Sequence, residues 1–185
     1  MSISTATRQY VICFDGTGNT AENVNEITNV KKLHGLLAGK KTRNLFYAPG
    51  VGTRVGESIS GNAWGAGIRD RLEDAYRWLT DQMNYTGREL EGRQIYVFGF
   101  SRGAYIARVF CWVLFRCGIP ADVNQCRELF QLFVSEQDRR IETWKSENQY
   151  IDIKEIEMLG VWDTVKTADF EDVNHCDSKL APNVK

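Results

Sequence analysis

Only two histidines, His34 and His175, occur in these 185 residues, so within them acid–base chemistry that needs an imidazole has few candidates. An excess of one charge is also missing. The formal net charge is −1, from 23 Lys and Arg against 24 Asp and Glu, which removes the case for a nucleic-acid surface. Five cysteines are present (Cys13, Cys111, Cys117, Cys126 and Cys176) but no C-x-x-C pair. An odd count without metal-ligand spacing reads as reduced, mostly buried thiols of a cytoplasmic protein, with neither a disulfide framework nor a metal site. The segment from Met1 to Arg8 has no apolar core, which excludes a cleaved signal peptide there. No run of about 18 apolar residues exists, which excludes a transmembrane helix. A cytoplasmic location is expected, with export by a route that needs no cleaved signal left open. The most apolar stretch, Ala104 to Ile119, is interrupted by Arg108 and Arg116 and reads as a buried helix.

What is present is an ordinary globular balance, 43% hydrophobic and 25% charged over 185 residues. That predicts a single domain, residues 1–185, with a sizeable core and no repeat or low-complexity tract. The organising stretch is Gln94 to Tyr105. A β-prone run into Phe98 meets Gly99-Phe-Ser101-Arg-Gly103, and a helix is predicted from Ala104 to about Phe115. Strand, tight turn with serine at its tip, then helix is the context of a nucleophile elbow. Small residues two positions either side let the strained turn close. The turn lifts the serine hydroxyl out of the sheet, and the helix N-terminus faces any developing oxyanion. The alternative for the same residues is a plain strand-to-helix turn with Ser101 capping the helix.

The rest of the chain reads in alternation. Tyr10 to Phe14 is a continuous apolar strand ending in Asp15-Gly-Thr-Gly-Asn19. Asn25 to Leu37 has helical spacing, and Asn44 to Ala48 is a short strand before the loop Pro49 to Arg54. Glu57 to Gly67 reads as a flexible surface loop, and Ile68 to about Tyr85 as an amphipathic helix with Ile68, Leu72, Ala75, Tyr76, Leu79 and Met83 on its stripe. Gly118-Ile-Pro120 is a break, Asp122 to Glu147 one long helix, Glu155 to Trp162 a strand, and Lys166 to Lys185 an irregular tail. Strands alternating with helices predict an α/β fold, a mostly parallel sheet flanked by helices. Ligands bind such sheets at the carboxyl ends of their strands. Three polar clusters follow predicted strands: Asp15 to Asn19, Gly99 to Gly103, and Asp163-Thr164.

Acyl transfer assigns these clusters roles. The serine needs a base, the base an orienting acid, and the oxyanion two donors. Ser101 is the expected nucleophile and Asp163, downstream at a strand end, the expected acid. Gly16 or Thr17 N–H and Arg102 N–H are the expected oxyanion donors. Asp15 is expected to bond its own loop. His34 precedes the serine in a helix and reads as structural, whereas His175 follows Asp163 in a predicted irregular tail. The mechanism calls for no cofactor or metal.

Phe14-Asp-Gly-Thr-Gly-Asn19, Tyr47-Ala-Pro-Gly-Val-Gly-Thr53, Gly99-Phe-Ser-Arg-Gly-Ala-Tyr-Ile-Ala-Arg108 and Gly160-Val-Trp-Asp-Thr-Val165 together resemble an α/β-hydrolase family. Its best-known members are the Tle-type phospholipase effectors of bacterial type VI secretion. The resemblance implies Ser101 as nucleophile, Asp163 as triad acid and hydrolysis of phospholipid or other carboxylic esters. It implies peripheral contact with a membrane or a secretion apparatus as partner. The tail Leu180-Ala-Pro-Asn-Val-Lys185 resembles the family's segment just before its catalytic histidine, so the expected base lies beyond Lys185 and the hydrolase domain is expected to be truncated here, with His175 as rival. Two other readings remain. Val11-Ile-Cys-Phe-Asp-Gly-Thr17 resembles the D-x-D-G-T motif of haloacid-dehalogenase phosphatases, but Cys13 stands where the nucleophilic carboxylate is required. The third is a catalytically incomplete, hydrolase-like binding domain.

Overall fold

The computed structural model describes residues 7–18, 27–39, 43–52, 62–83 and 92–165. Its elements run β1 (Arg8–Phe14), α1 (Asn29–Ala38), β2 (Arg43–Ala48), α2 (Asn62–Met83), β3 (Arg93–Phe100), α3 (Arg102–Cys117), β4 (Ile119–Pro120), α4 (Cys126–Val134), α5 (Asp138–Glu147), β5 (Tyr150–Ile151) and β6 (Met158–Trp162). Four strands form a parallel sheet in the order β2-β1-β3-β6. Phe14 lies level with Ala48 and Gly99, and Phe100 with Trp162, so all four strands finish at one edge. The fold is α/β, as expected.

Both faces of the sheet are covered. Tyr10, Ile12, Phe14, Ile95 and Val97 pack in one cluster with residues of α2, α3 and α4. The alternating residues Val11, Cys13 and Phe98 cluster with Val30, Leu33 and Leu37 of α1. Burial on both sides explains why β1 shows no polar alternation. Each large aliphatic side chain buried this way contributes roughly 1.5–3 kcal/mol. The strand order also locates the site. The chain steps from β1 outward to β2, then returns past β1 to β3 on the other side. Crossovers in opposite directions leave a crevice between the carboxyl ends of β1 and β3, the switch point where open α/β sheets take ligands.

Several elements differ from the sequence expectation. The helix expected from Asn25 starts at Asn29, because Thr28 is its N-cap and accepts a hydrogen bond from Lys31 N–H at 3.0 Å. The loop expected over Glu57 to Gly67 gives way to α2 at Asn62; residues 53–61 lie outside the described set. Tertiary packing of the Ile68 to Met83 stripe outweighs the weak helix propensity of the preceding glycines. The single helix expected over Asp122 to Glu147 is broken into α4 and α5 at Ser135–Gln137, where Glu136 takes φ 52°. The break lets Leu129 and Phe130 on one side and Ile141 and Trp144 on the other all reach the core. The last strand is shorter than expected, Met158–Trp162. The antiparallel pair β4–β5, which ties the segments after α3 and α5 together, carried no sequence signal.

Candidate active site

Ser101 sits between β3 and α3 with φ 55° and ψ −120°, a conformation that costs a non-glycine residue about 1–3 kcal/mol. Tertiary bonds hold it there. Ser101 N–H donates to Trp162 O at 2.8 Å, and Ser101 O accepts from Ala104 N–H at 3.1 Å and Val165 N–H at 3.2 Å. The flanking glycines are required by close approach. A Cβ on Gly99 would lie 2.4 Å from Gly103 O, and one on Gly103 would lie 2.3 Å from Phe14 O. The turn is therefore wedged against the end of β1. Although Ser101 occupies the N-cap position of α3, its side chain makes no capping hydrogen bond. The capping alternative is thus not the arrangement adopted.

Asp163 follows β6, which pairs with β3, so it falls beside Ser101. The elbow's main chain bonds to Trp162 and Val165 on either side of it. Asp163 is exposed and takes φ 49°, a left-handed conformation that Asp and Asn tolerate better than most residues. Arg102 is the first residue of α3; its side chain is half-buried, and burial lowers its guanidinium pKa.

The loop after β1 is built around Asp15, which is 2% exposed. Its carboxylate accepts from Gly16 N–H at 2.7 Å, Thr28 Oγ1–H at 2.9 Å and Tyr47 O–H at 2.6 Å. The same Thr28 caps α1, so Asp15 ties β1, β2 and α1 together. The expectation that Asp15 bonds its own loop is met, with two further donors that the sequence did not reveal. Next to the loop runs the chain after β2. Asp15 N–H donates to Ala48 O at 3.0 Å and Gly18 N–H to Val51 O at 3.2 Å. Between those bonds Gly50 presses on Gly16 so closely that a Cβ on it would lie 1.8 Å from Gly16 O. Gly16 and Thr17 are thereby held against the chain after β2, one and two residues beyond Asp15, whose carbonyl a Cβ on Gly103 of the elbow would meet at 2.5 Å.

Cys13, the residue in the phosphatase nucleophile position, is fully buried. Burial and the charge of Asp15 push its thiol up to about 12, so it cannot serve as a thiolate nucleophile near neutral pH. The four described cysteines are buried free thiols. His34 is half-buried on α1, its ring 5.0 Å from that of Tyr47, and burial lowers its pKa. His175 and Asn19 lie outside the described residues, as does the segment just before Lys185. No described helix is long and apolar enough to cross a membrane. Among the described residues no group of three or more His, Cys, Asp or Glu could hold a metal ion.

Three residues of this region escaped the sequence reading. Tyr47 lay in a quoted motif without a role. Thr28 had the residue type of a cap but no capping-box acid three residues on. Arg71 is 1% exposed on α2, and its spacing from Ile68 and Ala75 puts it on the apolar stripe, a signal that was available.

Comparison with known proteins shows the family. The family model described as T6SS, phospholipase effector Tle1-like, catalytic domain matches residues 8–182. An uncharacterised protein of Saccharomyces cerevisiae is 31% identical over 138 residues, covering 64% of this chain and 19% of the yeast protein. Among solved structures, the Tle1 effector bound to the VgrG spike from the Type 6 secretion system aligns at 19% identity with a TM-score of 0.35, over 86% of this chain and 38% of that one. The chain spans well under two thirds of the length of either protein.

Proposed function

The chain belongs to the Tle1-like family of type VI secretion phospholipase effectors, in its catalytic domain, and on that premise we propose that it carries the nucleophile and acid of a serine esterase acting on phospholipid or other carboxylic esters. Ser101 Oγ attacks the ester carbonyl while a histidine takes its proton. Asp163 holds that histidine in the right tautomer, and the tetrahedral oxyanion is met by amides of the first loop and of α3. The intermediate collapses to the acyl-enzyme as the ester C–O bond breaks and the departing alcohol takes the proton from the histidine. Water activated by the same histidine then cleaves the acyl-enzyme, releasing the acid and returning the proton to Ser101. Gly16 and Thr17 are the loop residues proposed for the oxyanion, with Arg102 N–H from the helix. Thr17 is the better donor of the two, because an oxyanion would have to draw Gly16 N–H away from the Asp15 carboxylate. The base is proposed as a histidine past Lys185, with His175 as rival.

The observation that carries this reading is the backbone of Ser101, strained and held with its hydroxyl uncommitted to the helix cap. Such strain concentrates where a function uses it. Membership in an effector family supports a lipid surface and a secretion apparatus as partners, and export without a cleaved signal after synthesis in the cytoplasm.

The test uses the full-length protein that contains this chain. A fluorophosphonate should label Ser101 and nothing in Ser101→Ala, and phospholipid vesicles should release fatty acid with the wild type only. No labelling of a folded wild type, with no ester hydrolysis, would sink the esterase reading in favour of a hydrolase-like binding domain.

A further inference from the structure

Arg71 is the largest fully buried side chain described, and nothing in the proposed chemistry uses it. Its guanidinium donates from Nε to Pro49 O at 3.2 Å, from Nη2 to Gly50 O at 3.2 Å and from Nη1 to Gly67 O at 3.4 Å. These three acceptors, though not the whole of its surroundings, are main-chain carbonyls. Burying a cation is costly, and replacing buried charge with apolar side chains is often neutral or stabilising. Packing alone therefore gives a poor reason for arginine at this stripe position. Geometry gives a better one. A planar fork can bond two successive carbonyls at once, and so fixes the orientation of the peptide between them. That peptide joins Pro49 to Gly50, and Gly50 is the residue pressed on Gly16 and Thr17, an added Cβ lying 1.8 Å from Gly16 O and 3.0 Å from Thr17 Cα.

We propose that Arg71 is a positioning residue for oxyanion stabilisation: it fixes the Pro49–Gly50 backbone as a rigid shelf, and the shelf sets where the Gly16–Thr17 backbone meets the developing charge. The inference rests on the esterase reading. The chain of contact is continuous, from α2 through the Arg71 fork to Gly50 and then to Gly16. The flanking bonds from Asp15 N–H to Ala48 O and Gly18 N–H to Val51 O keep the two loops in register on either side of the contact. Asp15 anchors the first loop from the α1 side, and Arg71 from the α2 side. Loss of the fork frees the shelf to rotate, and a displacement of about 1 Å at a reacting centre costs on the order of 100-fold in rate.

The experiment compares wild type, Arg71→Met and Arg71→Lys in the full-length protein. Turnover of a p-nitrophenyl ester is normalised to sites titrated with a fluorophosphonate. Arg71→Met should lower kcat per titrated site by roughly 10- to 100-fold with KM within about 2-fold. Arg71→Lys should recover part of the loss, since an ammonium can bond one carbonyl but cannot fix both. If Arg71→Met does not fold, Arg71→Lys decides, with an expected loss of roughly 5-fold or more per site. Wild-type turnover per site in the folded variant, with only the melting temperature lowered, overturns the proposal and leaves Arg71 purely structural. A wild type that neither labels at Ser101 nor turns over fails the esterase reading itself, before any Arg71 variant is compared.

Discussion

Two aspartates follow parallel strands at the same edge of the sheet, and their surroundings are opposite. Asp15, after β1, is buried and accepts from three donors on β2, the α1 cap and its own loop. Asp163, after β6, is exposed in a left-handed conformation and is held through its neighbours' backbone bonds to Ser101. A carboxylate saturated with internal donors is architecture. One that is exposed on a left-handed turn beside the elbow fits the triad acid proposed for it. Both sit in short Asp-Gly or Asp-Thr segments after apolar strands, and in the sequence only chain order relative to Ser101 set Asp163 apart as the expected acid.

The comparison breaks most readily through substitution at the two positions. Asparagine is the useful replacement for Asp163, because it also tolerates the left-handed backbone. Asp163→Asn in the full-length protein should lower kcat by about 10³- to 10⁴-fold with an unchanged denaturant midpoint. Asp15→Asn should do the reverse, costing about 1–3 kcal/mol in chemical denaturation because the amide nitrogen cannot accept from the donors it faces. If Asp163→Asn unfolds the protein and Asp15→Asn silences it while leaving it stable, the two roles are exchanged.

Gly16→Val sharpens the same comparison at the loop that Asp15 supports. Turnover should fall by roughly two to three orders of magnitude, because a β-branched side chain displaces the Gly16–Thr17 backbone and with it the proposed Thr17 N–H donor, while the fold survives. Undiminished p-nitrophenyl ester hydrolysis would take this loop out of the mechanism.

The smallest effect expected is electrostatic, in the layer behind Asp15. His34 lies against Tyr47, and partial burial depresses its pKa below the ordinary 6.5. The unfolded chain therefore binds more protons than the native state around that pH, so stability present above pH 6.5 is lost as pH falls through the depressed value. Melting curves from about pH 7.5 down to about pH 5.5 should drop less steeply for His34→Gln than for wild type. Superimposable slopes would show that His34 titrates alike in both states.

Most of the frame was legible in the residues. The apolar run Tyr10 to Phe14, the stripe from Ile68 to Met83 and the Gly99 to Gly103 turn each encode their structure within a few positions. Strand periodicity, helix periodicity and glycine spacing are local steric facts. The order of the motifs was enough to place Ser101, Asp163 and the first loop at strand ends. The break at Glu136 was not legible, since it answers the need of two helix faces to reach one core.

The sequence by itself determined that a serine would stand at a strand-to-helix turn, with glycines two residues to either side that leave room for a strained one. Only the tertiary structure decided what surrounds it. Tyr47 lies 32 residues from Asp15, and Arg71 lies 21 from Gly50. Those pairs meet because parallel register brings β1 and β2 to one edge and α2 packs across it. Contacts of that span carry no local pattern; they exist only once the sheet has set which residues are neighbours.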